Sequence, residues 1–163
     1  MIVEYSKLIK LYLYTANPIF NIEQAKLLKT QAVEIMGDVP YDEIPSILAN
    51  ADMLVHVESF ERQQMFATSL SFSTKLVDYF EAGKPIFAMG WKHAASIKYL
   101  KDNNIGIFVN RTNELFIVLF EALNNRENLI SLGKKTWAFG RKHHNKELFL
   151  RNFENDLSKI VNN

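Results

Sequence analysis

The sequence predicts an α/β fold, a parallel sheet covered by helices on both faces, and three observations lead to it. Helical and strand-like patterns alternate down most of the chain. The run Asp52-Met53-Leu54-Val55-His56-Val57 is apolar on both faces apart from His56, the pattern of a central strand in a parallel sheet. Residues 73–88 read as one continuous unit: a capped helix start at Ser73, a stop at Gly83, then Pro85 and an apolar strand.

Taken in order, Leu8 to Thr15 is rich in aliphatic and tyrosine residues and leaves at Ala16-Asn17-Pro18, a strand followed by a turn. Ile19 to Thr30 has helical spacing in Ile22, Ala25 and Leu28. Gln31 to Met36 is a second strand, stopped by Gly37-Asp38-Val39-Pro40. Asp42 to Asn50 reads as a short helix that tolerates Pro45 because it falls in the first turn. Glu58 to Phe72 is long for a connection, holds a short helix around Gln63 to Thr68, and is a candidate binding loop. In the unit that follows, Ser73 is placed to accept a hydrogen bond from a free amide of the first turn. Leu76, Val77 and Phe80 recur at core-facing spacing, and Lys75 and Asp78 sit one turn apart on another side. Pro85 to Met89 is the next strand, His93 to Asn103 the next helix and Gly106 to Val109 the last strand. Thr112 opens a helix through Leu123, and Ala138 to Ile160 is a further long amphipathic stretch.

The chain has 163 residues, 48% of them hydrophobic, enough to bury one sizeable core, and its length fits a single domain. A formal net charge of +1 gives no general electrostatic reason to bind nucleic acid. There is no cysteine, which excludes disulfides and thiolate metal sites and fits a cytoplasmic protein. The apolar runs are short and broken by charge, so no spanning helix is expected, and the N-terminus lacks a signal-peptide pattern.

In such a sheet, ligands bind outside the carboxyl ends of the strands. The loops there are Ala16-Asn17-Pro18, Gly37 to Asp42, Glu58 to Ser73 and Gly90 to Ala94. A phosphate is favoured at the helix start near Ser73, where unpaired amides and the helix dipole attract anions and Lys75 adds a full charge. Asp78 could accept hydrogen bonds from a vicinal diol such as ribose. The alternative is that Lys75 and Asp78 form an exposed ion pair worth roughly 0.2–0.5 kcal/mol, and spacing alone leaves both readings open.

Two motifs resemble those of a known family. Ser73-Thr74-Lys75-Leu76-Val77-Asp78-Tyr79-Phe80-Glu81-Ala82-Gly83-Lys84-Pro85 resembles the "(P/S)-x-K-x-x-E-Y-x-x-x-G-K-P" segment of group 1-type retaining glycosyltransferases with the GT-B fold. Gly37-Asp38-Val39-Pro40-Tyr41-Asp42-Glu43-Ile44-Pro45-Ser46-Ile47-Leu48-Ala49-Asn50-Ala51-Asp52 resembles that family's "G-x-V-P-x-x-E-(I/V)-P-x-x-L-x-x-A-D". The two occur in the family's order, and the similarity runs from about Leu8 to the C-terminus. The resemblance implies a Rossmann-like three-layer α/β/α domain, the C-terminal, donor-binding half of such an enzyme. It implies a nucleoside-diphosphate sugar as donor substrate and no other cofactor. Asp78 would hold the ribose hydroxyls, Val39, Pro40 and Tyr41 would frame the base, and Ser73, Thr74 and Lys75 would lie near the diphosphate. The chain departs from the family in two places: Asp78 stands where Glu is usual, and Leu70 stands where many relatives have a second acid touching the donor sugar. Glu58 or Glu61 is the candidate substitute for that acid.

The resemblance further implies a hexosyltransferase of surface polysaccharide biosynthesis, acting on a saccharide or lipid-linked acceptor. The family's first strand-helix unit, with its Arg and Lys, has no match before Leu8, and an acceptor domain or subunit is expected on the N-terminal side. The isolated chain is therefore expected to be inactive. A non-catalytic nucleotide-binding or scaffold domain that pairs with a separate subunit is the alternative. The basic residues Lys134, Lys135, Arg141, Lys142 and Lys146 read as a solvated helix face, with a peripheral contact at the inner membrane surface as the second reading. Phe139, Leu148, Phe149, Phe153 and Leu157 read as core, or as a stripe for the absent domain.

Other chemistries find less support in the residues. His143 and His144 are adjacent and point apart on a helix, so no metal site is expected. His56 reads as a satisfied core residue. A signalling receiver would need clustered acids after its first strand, where this chain has Thr15-Ala16-Asn17, and no Gly-x-Gly-x-x-Gly follows any strand as a dinucleotide-binding domain requires.

Overall fold

A computed structural model of the chain describes residues 9–16 and 32–161. It divides into two compact units, residues 1–44 and 45–163. The expected helix Ile19 to Thr30, and Asn17 and Pro18 of the first turn, lie outside the described residues.

In the first unit, β1 (Leu11–Tyr14) pairs in parallel with β2 (Val33–Gly37). Alternation sets Leu11 and Leu13 on a half-buried face and Tyr12 and Tyr14 on an exposed one. An irregularity between Leu13 and Tyr14 brings Tyr14 opposite Gly37, which has φ +79°. The strand thus ends at a residue free to take a left-handed turn. A single 3-10 turn, Tyr41–Glu43, then leads into α1 (Ile44–Asn50), with Pro45 in its first turn as the sequence suggests.

In the second unit, β3 (Leu54–Val57), β4 (Ile86–Met89) and β5 (Ile107–Val109) form a parallel sheet in the order β3-β4-β5. Leu54 lies opposite Ile86 and Phe87 opposite Ile107. Within this sheet β4, rather than β3, is the middle strand. Its Ile86, Phe87 and Ala88 are all buried, whereas Val57 of β3 is 59% exposed. The helices are α2 (Arg62–Leu70), α3 (Lys75–Ala82), α4 (Ala95–Asp102), α5 (Leu115–Asn124), α6 (Arg126–His143) and α7 (Lys146–Val161).

The core is built from Leu76 and Phe80 of α3, Ile86 and Ala88 of β4, Ile97 and Leu100 of α4, and the flanking Ala94 and Ile105. Each fully buried large side chain contributes about 1.5–3 kcal/mol of transfer free energy. The end of α3 follows its sequence: Gly83 takes φ +65° and its N–H closes the last turn on the Phe80 carbonyl.

Glycines also decide how α6 meets α3. A Cβ on Gly133 would lie 2.6 Å from the Gly83 carbonyl oxygen, and one on Gly140 2.6 Å from Phe80 Cβ. Seven residues apart, the two share one face of α6 and bring it directly against α3.

The C-terminal helical region differs from expectation. Instead of one stretch from Ala138 to Ile160, α6 runs to His143 and a new helix begins at Lys146. His144 leaves helical geometry, and the Asn145 side chain accepts the Leu148 N–H at 3.0 Å, capping α7. Phe139 packs against the core, but Leu148, Phe149, Phe153 and Leu157 are 45–68% exposed, so most of that stripe is not core. Among the described residues, no helix is long and apolar enough to cross a membrane.

Candidate functional site

An open cleft of about 410 Å³ lies at the carboxyl end of β3. Strand alternation decides what β3 contributes: His56 and Glu58, two apart, share a side. Val55, Val57, Ser71 and Ser73 complete the wall with Lys75 and Tyr79 of α3. Lys75 and Tyr79 are four apart and therefore lie on one face of the helix.

The cleft is held by specific bonds. His56 is 6% exposed and its Nε2 meets Glu58 Oε1 at 3.1 Å. Burial pushes the imidazole below its ordinary pKa; the Glu58 carboxylate opposes this and the Lys75 cation adds to it. The Tyr79 hydroxyl donates to the Val55 carbonyl at 3.2 Å, tying α3 to β3. Burial, with Asp78 nearby, raises that phenol above its usual range. Gly90, at φ +154°, follows β4 and leaves no room for a side chain: a Cβ there would be 2.7 Å from Glu58 Cβ.

The start of α3 differs from the cap expected at Ser73. Thr74 is the capping residue, itself in helical geometry, and no side chain caps the helix. Ser73 contributes its carbonyl to the Leu76 N–H at 3.2 Å, while its own N–H donates to Ser96 Oγ at 2.9 Å. The serine sits one residue too far ahead of the helix for its hydroxyl to reach the first-turn amides. Among the described residues, nothing accepts from the N–H groups of Thr74 and Lys75. Among the described residues Lys75 is in no salt bridge, and the exposed Lys75–Asp78 pair is not formed.

The expected site residues therefore separate. Ser73, Lys75 and Glu58 line the cleft, whereas Thr74 does not. Asp78 is half-buried outside the cleft lining, its carboxyl pushed up by burial and by Glu81. Glu61 is exposed, precedes α2 without capping it by its side chain, and does not reach the cleft. Leu70 is 77% exposed. In the first unit, Val39, Pro40 and Tyr41 follow the carboxyl end of β2, where Asp38 Oδ1 accepts the Val39 N–H at 3.0 Å and Tyr41 is 79% exposed.

Sequence reasoning reads His56 as a core residue and Gly90 only as the start of a loop, and it assigns no site role to His56, Tyr79 or Ser96. Periodicity carried the signal for His56 and Tyr79, through the i, i+2 relation of His56 to Glu58 and the i, i+4 relation of Lys75 to Tyr79. Nothing local announces Ser96, which lies 23 residues from its partner. The basic residues Lys134, Lys135, Arg141, Lys142 and Lys146 are all exposed. Among the described residues, no three His, Cys, Asp or Glu side chains cluster as a metal site would require.

No family model and no curated protein sequence matches the chain. Among solved structures, the chain is similar to the crystal structure of Anabaena HepE in complex with UDP, with a TM-score of 0.71 at 15% sequence identity. The match covers 97% of this chain and 44% of that one, so the chain spans less than half the length of HepE. The likeness shows the fold class expected from the sequence, a Rossmann-like α/β half-domain of the GT-B type.

Proposed function

We propose that this chain is the donor-binding part of a glycosyltransferase and that it holds a nucleoside-diphosphate sugar with the diphosphate at the start of α3. The observation that carries this reading is Lys75, a cation that among the described residues is in no salt bridge, standing in a cleft beside two amides without acceptors among those residues at a helix N-terminus. That combination suits a phosphate, because amide dipoles, helix dipole and full charge act in the same direction. The likeness in fold to HepE, solved with UDP, supports it.

In the full reading, Ser73, Thr74 and Lys75 bind the diphosphate and Glu58 accepts hydroxyl hydrogen bonds from the donor sugar, while Val39, Pro40 and Tyr41 are assigned to the base on motif resemblance alone. Asp78 is assigned to the ribose on motif resemblance alone. Glu61, away from the cleft, is not assigned. Transfer itself needs an acceptor-binding domain or subunit and further positive charge on the leaving diphosphate, so the isolated chain binds donor without transferring it. A hexosyl group, retention, a polysaccharide or lipid-linked acceptor, and a cytoplasmic site at the inner face of a membrane complete the proposal.

Calorimetry with UDP and GDP tests it. One of them binds, and Lys75→Ala weakens binding by roughly 10- to 100-fold, the loss of one charge-assisted contact. Asp78→Ala weakens it as well if the ribose assignment holds. Failure of the folded protein to bind any nucleoside diphosphate removes the proposal.

A further inference from the structure

The cleft that offers Lys75 to an anion also contains Glu58, a carboxylate that repels one. Glu58 is 15% exposed at its side chain and is bonded to His56, which is almost wholly buried. Among the described residues, these titratable groups line the cleft that the imidazole borders. Its own strand and the residue after it supply Glu58, and α3 supplies Lys75 and the phenol of Tyr79. The loop before α3 supplies only serines, and β4 places Ala88 opposite His56 with no titratable group beside it. With the imidazole neutral, the cleft holds one positive and one negative charge, and an entering diphosphate meets an uncompensated carboxylate.

We propose that His56 takes up a proton when a diphosphate-bearing ligand enters the cleft, converting the His56–Glu58 pair from singly negative to neutral. The proton comes from solvent. In the free protein the Nε2–H donates to Glu58 Oε1, leaving Nδ1 as the ring atom that accepts the new proton. Nδ1 has no hydrogen-bond partner among the described residues, and the ring borders the open cleft. Two conditions make the uptake follow ligand entry instead of preceding it: burial and Lys75 both disfavour the imidazolium in the empty cleft. A ligand's negative charge offsets the Lys75 cation and tips the balance towards the charged ring. This inference rests on the proposed anion site and adds to it a proton linkage.

The test is titration calorimetry with UDP-glucose and GDP-mannose, whose diphosphates are diesters and lack the second ionisation, at about pH 6, of a terminal phosphate. Measured in buffers of different ionisation enthalpy, the wild-type protein takes up a substantial fraction of one proton per ligand near pH 7. Its affinity rises as pH falls from 8 to 6, by no more than about tenfold per pH unit, the limit for one linked group. His56→Gln, which can still donate to Glu58, abolishes the uptake. Binding without proton uptake by the wild type, or equal uptake in a folded His56→Gln, overturns the inference and leaves the proposed function standing. No binding of either ligand overturns both.

Discussion

Ser96→Ala isolates one bond between α4 and the start of α3. Ser96 is fully buried, and its Oγ accepts the Ser73 N–H at 2.9 Å. The alanine removes the acceptor and leaves that amide unpaired. An unsatisfied buried donor costs about 1–3 kcal/mol; Ser73 is only partly buried, so water can reach it and the lower half of that range applies. Alanine is the better helix former, offsetting a few tenths of a kcal/mol. The expected net loss is about 0.5–1.5 kcal/mol, a fall in Tm of roughly 1–6 °C for a chain of this size. Urea unfolding reads it as a lower midpoint at unchanged slope. If the cleft holds a nucleoside diphosphate as proposed, its affinity falls as well, because Ser73 lines the cleft. Ser69→Ala is the control: that hydroxyl bonds back to the Phe66 carbonyl within its own exposed helix, and its loss stays within about 0.5 kcal/mol. If Ser96→Ala and Ser69→Ala unfold at the same urea concentration as wild type, the bond does not anchor α3.

Gly140→Ala tests the contact between α6 and α3: with a Cβ set 2.6 Å from Phe80 Cβ, it destabilises by about 1–3 kcal/mol by overpacking, although alanine favours the helix. A variant as stable as wild type in urea would show that the helices separate freely. Acid stability follows from His56 and His144, both lowered from 6.5, chiefly by burial. Below pH 6.5 the unfolded chain binds protons that the folded chain refuses, so stability is full above that pH and declines as pH falls through the window beneath it, by at most about 1.4 kcal/mol per pH unit for each ring. Asp78, raised from 3.8 by burial, acts in the opposite sense and only at lower pH. Urea midpoints flat between pH 7.5 and 5.5 would contradict this, and His56→Gln removes part of the slope.

The strands, the end of α3 and the carboxyl-end loops are legible in the sequence, because each depends on short-range signals: the apolar run at Leu54–Val57, the glycine at 83, the proline at 85; the start of α3 is displaced by one residue from the Ser73 cap those signals suggest. What escaped depends on which side of an element faces which neighbour. Lys75 and Asp78 look equivalent as the polar pair of one helix, yet only Lys75 lines the cleft, because the residue sharing its face is Tyr79, one turn on at i+4. His56 was read as a satisfied core residue, and it is buried and bonded; that its partner Glu58 also lines a cleft follows only from the loop geometry after β3. The break at His144 and Asn145 was hidden because the apolar spacing continues across it while a single asparagine cap restarts the helix.

The near-contact of α3 with α6 at Gly133 and Gly140 has a bearing on recognition. With no room for a side chain at either glycine, the C-terminal half of α3 is packed closely against the eighteen-residue α6, and a close-packed contact resists displacement. The amides at the leading end of α3 are therefore aimed before any guest arrives, and their ordering is settled during folding. Under the proposed function, a ligand that docks there loses little affinity to rearranging its host.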